Sequence, residues 1–130
     1  MKTLLLSDNA RLQFNLEQTL QGLDSLTEVW RTPSARDAAW FLARDGAVDA
    51  VFVDLAWCGH QMLPAVIDTI HPWLEGTKIV LLLQHLEDFS RDSLRRVRAD
   101  LCVPRSTPRK TFRSVLAGTV ALKPRLQLAV

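Results

Sequence analysis

Apolar residues along this chain fall into two kinds of pattern: short unbroken blocks, and longer stretches in which they recur every three or four positions. The blocks Leu4-Leu5-Leu6, Ala50-Val51-Phe52-Val53 and Ile79-Val80-Leu81-Leu82-Leu83 suit strands buried on both faces, as in parallel sheets. They predict strands over 2–6, 50–53 and 78–83. A weaker, more polar strand over 26–31 belongs nearer a sheet edge, and a short fifth covers Leu101-Cys102-Val103. Between them lie helical spacings. Leu12, Leu16, Leu20 and Leu23 form one stripe, with Gly22 as its stop. Pro33 and Ser34 open a second helix with Ser34 and Asp37 near capping-box spacing; Ala38, Phe41 and Leu42 are its stripe and Asp45-Gly46 its end. Met62, Leu63, Val66, Ile67 and Ile70 predict a third helix, stopped by Pro72. A basic fourth covers 89–98. The last has Thr107 as N-cap and Pro108 in its first position, with Phe112, Val115 and Leu116 inward and Gly118 near its end.

Strands alternating with helices predict an α/β fold: a doubly wound, five-stranded parallel sheet with five helices on its two faces. No repeat, long linker or low-complexity tract interrupts the order, so residues 1–118 read as one domain and 119–130 as a tail or the start of an interdomain linker. The length of 130 residues suits one domain with a real core, and 48% apolar content argues against disorder. No apolar run approaches the ~18 residues of a membrane span, and Met1-Lys2-Thr3 leads directly into a strand. A cytoplasmic protein without membrane insertion is expected, with Cys58 and Cys102 as reduced thiols. His60, His71 and His85 make no ligand pair, which disfavours zinc.

Charge changes the picture more than composition does. The net +2 divides into −6 through residue 90 and +8 from Arg91 onward. Most charge runs are solvated helix faces, but this split also suits a basic surface for an acidic partner. Arg91, Arg95, Arg96, Arg109 and Phe112 are the candidate interaction face, and a homodimer through the last two helices is expected.

The candidate chemistry lies at strand ends. Asp8 follows the first apolar block and Asp54 ends the third. Ligands of open α/β sheets bind beyond the carboxyl ends of the strands, and two carboxylates there can hold a divalent cation. The plainer alternative is that acids after strands form turns and cap helices.

Over residues 2–118 the chain resembles the receiver domain of two-component response regulators, the CheY-like, flavodoxin-type fold. The resemblance rests on LLLSDN at 4–9, VFVDLAWCG at 51–59, IVLLLQ at 79–84 and RADLCVPRSTP at 98–108. It implies that Asp54 is the phosphoacceptor, that Asp8 is the second member of an acidic pair, and that Mg²⁺ binds weakly to Asp8, Asp54 and the backbone carbonyl of Ala56. Gly59 falls on the family's loop glycine, with Cys58 in place of the common proline. Ser7 stands where the first acid is usual. The Thr or Ser of the fourth strand is replaced by Leu82, or by Leu83 in a shifted register. The family lysine is replaced by Pro104, or by Arg105 after a one-residue adjustment, and the switch aromatic by Leu101 or Cys102.

Two functions follow. One is a degenerate receiver (a pseudo-receiver) that works through protein interaction or dimerisation, with a small-ligand input as a variant. The other is a conventional receiver that takes a phosphoryl group from a histidine kinase on Asp54. Neither makes the chain an enzyme; the expected partners are a histidine kinase or an output domain. The segment Val115-Leu116-Ala117-Gly118-Thr119-Val120-Ala121-Leu122-Lys123-Pro124-Arg125 resembles the join to a helix-turn-helix output in transcription regulators. Sequence-specific DNA binding by these residues alone is not expected. Trp57 reads either as a partner contact or as a cover for the neighbouring helix, and Trp30, Trp40 and Trp73 as half-buried packing residues. Cys58 would be redox-sensitive only if exposed near a cation.

Overall fold

The computed structural model describes residues 1–85 and 91–118, except the side chains of Ser93 and Leu94. Five strands, β1 (Lys2–Leu6), β2 (Glu28–Thr32), β3 (Ala50–Asp54), β4 (Lys78–Leu83) and β5 (Leu101–Pro104), form one sheet in the order β2-β1-β3-β4-β5. All four pairings are parallel. This is the predicted doubly wound, flavodoxin-like sheet.

The helices are α1 (Ala10–Gln21), α2 (Ala35–Asp45), α3 (Leu55–Ile70), α4 (Arg91–Val97) and α5 (Arg109–Ala117). Two apolar layers explain why the central strands are apolar throughout. Leu4, Leu6, Val51, Val53, Leu81 and Leu83 pack against α2, α3 and Val97 of α4. Leu5, Phe52, Val80, Leu82 and Val103 point the other way, onto Leu12, Leu16 and Leu20 of α1 and Phe112 and Leu116 of α5. Every residue of β3 is buried, because both its neighbours in the sheet and both its faces are covered.

Several local expectations are corrected. The second strand starts at Glu28, not Leu26. Asp24 closes a turn there, its carbonyl accepting from the Thr27 amide (3.0 Å) and its carboxylate from the Leu26 amide (3.0 Å). Leu26 is left 82% exposed. The third helix begins at Leu55 rather than Met62 and is broken at Gly59, whose φ of 73° and ψ of 165° are not helical. At the start of α5, Pro108 is the N-cap and Thr107 is not; the Thr107 hydroxyl donates to the Pro104 carbonyl (2.7 Å) instead. Val115 is 38% exposed rather than inward, and Trp30 and Trp40 lie on the surface at 48% and 63%. Trp30 tilts against Phe41 and Trp40 carries the Arg44 guanidinium at 4.4 Å, so ring contacts at the surface replace core packing. Trp73 is half-buried against the α2–α3 layer, as expected. The expected helix start at Phe89 and the tail 119–130 lie outside the described residues.

Candidate functional site at the carboxyl edge of the sheet

Parallel strands end on one edge, and the register brings β1, β3 and β5 to it together. Asp54 pairs with Leu82 across β3 and β4, while Leu82 and Leu83 pair with Val103 and Pro104 across β4 and β5. The Asp54 carboxylate is 1% exposed, so each of its oxygens needs a partner. Oδ2 accepts from the Ser7 hydroxyl at 2.7 Å. Oδ1 accepts from the Ala56 amide at 3.1 Å and from Arg105 Nη1 at 3.4 Å. The Arg105 contact is longer than the roughly 2.7–2.9 Å of a strong charge-assisted bond, so it is an ion pair with little hydrogen-bond character.

Ser7 is itself fully tied down. Its hydroxyl accepts the Asn9 amide (3.0 Å), which leaves its one proton for Asp54. Its amide donates to the Thr32 carbonyl (3.1 Å), and its own carbonyl accepts from Arg31 Nη1 (3.3 Å). Arg105 is aimed by the turn that follows β5. Its amide donates to the Leu83 carbonyl (2.7 Å), and Thr107 closes the turn through both its amide and its hydroxyl on the Pro104 carbonyl.

Sequence-predicted residues thus divide. Asp54 and Arg105 meet, and of the two candidates after the fifth strand it is Arg105, not Pro104, that faces the carboxylate. Asp8 is exposed beside the edge, and the capping of α1 falls to Asn9, which accepts from the Leu12 amide at 3.0 Å. Asp54 also performs the plainer role of an N-cap, for α3. Leu82 and Leu83 are each 1% exposed; neither offers a hydroxyl, and β5 carries no aromatic at Leu101 or Cys102. Arg91, Arg95, Arg96 and Arg109 are exposed. Phe112 is inward, as the helical stripe predicts, and its place on the interaction face is corrected: it is 6% exposed and stacked on Phe52 with centroids 6.5 Å apart. Sequence reasoning treated Ser7 only as a missing acid and overlooked its bond to Asp54. The signal was available, since a hydroxyl at the end of the strand beside β3 reaches a buried carboxylate.

Magnesium takes carboxylate and carbonyl oxygens in octahedral geometry. The donor set as arranged does not fit it. Asp54 already has a guanidinium and a hydroxyl proton directed at it, and Asp8 is exposed. Among the described residues no three His, Cys, Asp or Glu side chains converge on a metal-sized point. Burial, with Asp54 adding to it, pushes the Cys58 thiol from its ordinary 9.0 up to about 11, and burial does the same at Cys102. A raised pKa lowers the thiolate fraction, which argues against a redox role at Cys58. Trp57 is half-buried against the α2–α3 layer.

A parallel sheet in this order, with a buried aspartate at the end of β3, has the architecture of a CheY-like receiver domain. Solved structures with this fold include a LuxR family DNA-binding response regulator from Silicibacter pomeroyi, with a TM-score of 0.69 at 18% identity, covering 90% of this chain and 88% of that one. The chemotaxis protein CheY4 of Vibrio cholerae has a TM-score of 0.68 at 19% identity, over 91% and 97% of the two chains. A response regulator from Burkholderia pseudomallei, solved with a phosphorylated aspartic acid and a calcium ion, has a TM-score of 0.61 at 18% identity, over 98% and 71%. No family model and no curated protein matches the sequence. Among the described residues no helix is long and apolar enough to cross a membrane.

Proposed function

We propose that this chain is a pseudo-receiver: a cytoplasmic signalling module of the response-regulator type, not an enzyme, that works through protein interaction or dimerisation and not through phosphotransfer. The observation that carries this reading is the occupied carboxylate. Phosphorylation of an aspartate needs a free nucleophilic oxygen and a cation to neutralise the equatorial oxygens of the incoming group. In this protein Ser7, the Ala56 amide and Arg105 already satisfy Asp54. The hydroxyl that would report a phosphoryl group is replaced by Leu82, and the switch aromatic is absent from β5. Similarity to a LuxR family DNA-binding response regulator supports an output through transcription.

A second reading is favoured by the survival of Asp54 at the β3 end and by likeness to a regulator solved with a phosphorylated aspartic acid. It is a conventional receiver in which a histidine kinase modifies Asp54, with Mg²⁺ on Asp8, Asp54 and the Ala56 carbonyl. Amide NMR spectra of wild type and Asp54→Asn, with Mg²⁺ and then with Mg²⁺ and beryllofluoride, separate the two. The pseudo-receiver predicts no saturable shifts at Asp8, Asp54 or Ala56. Shifts there that spread to residues 91–116 and vanish in Asp54→Asn would establish the conventional receiver.

A further inference from the structure

Between α1 and α5, beside Arg105, lies a cavity of about 330 Å³. This is the lower end of the roughly 300–1,000 Å³ range of small-molecule sites. Its apolar lining comes from Leu12 and Leu16 of α1, Leu82 of β4 and Phe112 of α5. Its polar lining comes from Asn15, Thr19, Thr107 and two arginines, Arg105 and Arg109, with no acidic residue among the described residues. Pro108, the N-cap of α5, supplies no side-chain oxygen to the first-turn amides there. An apolar lining with two arginines is complementary to one kind of occupant: a small amphipathic anion, its hydrocarbon part inside and its acid on the arginines.

We infer that the α1–α5 cavity binds a small organic anion and that Arg105 couples this ligand to Asp54. The coupling rests on the reading of Asp54 as a carboxylate occupied by Arg105. One of the five N–H donors of Arg105 is directed at Asp54, through a contact of 3.4 Å, while the same side chain lines the cavity. An anion in the cavity competes with Asp54 for this guanidinium. Binding therefore loosens the Arg105–Asp54 pair, and by reciprocity the charge on Asp54 weakens binding. The ligand takes the part of an input that arrives without phosphate chemistry.

Phenylacetate and phenyl phosphate are suitable probes, one for each type of acid, and phenethylamine is a cationic control with the same apolar end. Amide spectra are recorded without magnesium or beryllofluoride, so the result does not depend on whether Asp54 accepts a phosphoryl group. One or both anions are expected to give saturable shifts at Leu12, Leu16, Leu82, Arg105 and Phe112, and the amine none. Arg109→Gln, at an exposed position, is expected to weaken binding about tenfold. Asp54→Asn is expected to tighten it several-fold, because Arg105 is released to the ligand. Leu16→Trp fills the cavity and should abolish binding; Arg109→Gln keeps the test decisive if that variant does not fold. Absence of saturable shifts with both anions, or equal binding of the amine, overturns the site. Unchanged or weaker binding in Asp54→Asn overturns the coupling.

Discussion

Removing the Ser7 hydroxyl is the most direct probe of how Asp54 is held. Ser7→Ala leaves one buried carboxylate oxygen without its donor and the Asn9 amide without its acceptor. An unsatisfied buried polar group costs about 1–3 kcal/mol, and the cost is larger towards charged partners. Urea unfolding of Ser7→Ala should therefore show a loss of about 1–3 kcal/mol relative to wild type. In the Asp54→Asn background the loss should shrink, because an amide oxygen demands less of the hydroxyl than a carboxylate does. Equal losses in both backgrounds would mean that the Ser7–Asp54 bond contributes nothing of its own. At this scale Ser7 is a structural partner in a position that the resemblance assigns to a metal-binding acid. The chemistry of one hydroxyl changes what the neighbouring carboxylate is free to do.

Among the elements, α3 shows how backbone geometry shapes the rim of the site. Asp54 caps its first turn, which carries Trp57 and Cys58, and Gly59 then breaks the helix before it continues to Ile70. With φ at 73° and ψ at 165°, Gly59 occupies a region that is essentially closed to residues with a Cβ. A Cβ there would meet nothing within 4 Å, so the penalty for Gly59→Ala is purely conformational. Thermal or urea unfolding should show a loss of about 1–3 kcal/mol with little change in circular dichroism. A neutral result would show that the break relaxes into a continuous helix. The sequence contains the glycine but not its conformation; the apolar stripe from Met62 to Ile70 hid the first turn of α3, which has little periodic signal. The Asp24 turn displaced β2 in a similar way. Its hydrogen bonds to Leu26 and Thr27 outcompete strand pairing for a residue whose β-propensity is unremarkable.

At the scale of the whole molecule, the basic C-terminal charge places a cationic surface on the last two helices. Arg91, Arg95, Arg96 and Arg109 are exposed on α4 and α5, while acids such as Asp37, Asp45, Asp68 and Glu75 are exposed on or next to α2 and α3. On α2 the exposed Asp37 and Asp45 alternate with the exposed Arg36 and Arg44, and Arg44 pairs with Asp45 at 3.2 Å, so the basic surface of α4 and α5 is the more one-sided of the two. We propose a homodimer that uses the basic helices. Arg95→Glu is expected to lower the mass measured by light scattering towards that of the monomer, and high salt should act in the same direction on wild type. An unchanged mass in Arg95→Glu would count against this face. Phe112 is not a useful probe of it, because the side chain is packed on Phe52 and its loss damages the core instead.

How far the sequence reaches depends on whether a feature is local. Unbroken apolar blocks can satisfy only strands covered on both faces, so the parallel sheet, the order of its elements and the two apolar layers followed from the pattern alone. Ser34 as the cap of α2 was equally legible, because an N-cap is a bond between residues three apart. Asp54 stood out as the acid ending an apolar block, and the resemblance narrowed the position after β5 to Pro104 or Arg105. Tertiary structure decided the rest. Ser7 and Asp54 are 47 residues apart and Asp54 and Arg105 are 51, and no periodicity encodes a distance across parallel strands. Burial of a carboxylate in that setting fixes which partners it must take, and burial is a property of the assembled sheet. The same assembly left Trp30 and Trp40 outside and opened the cavity between α1 and α5 beside Arg105.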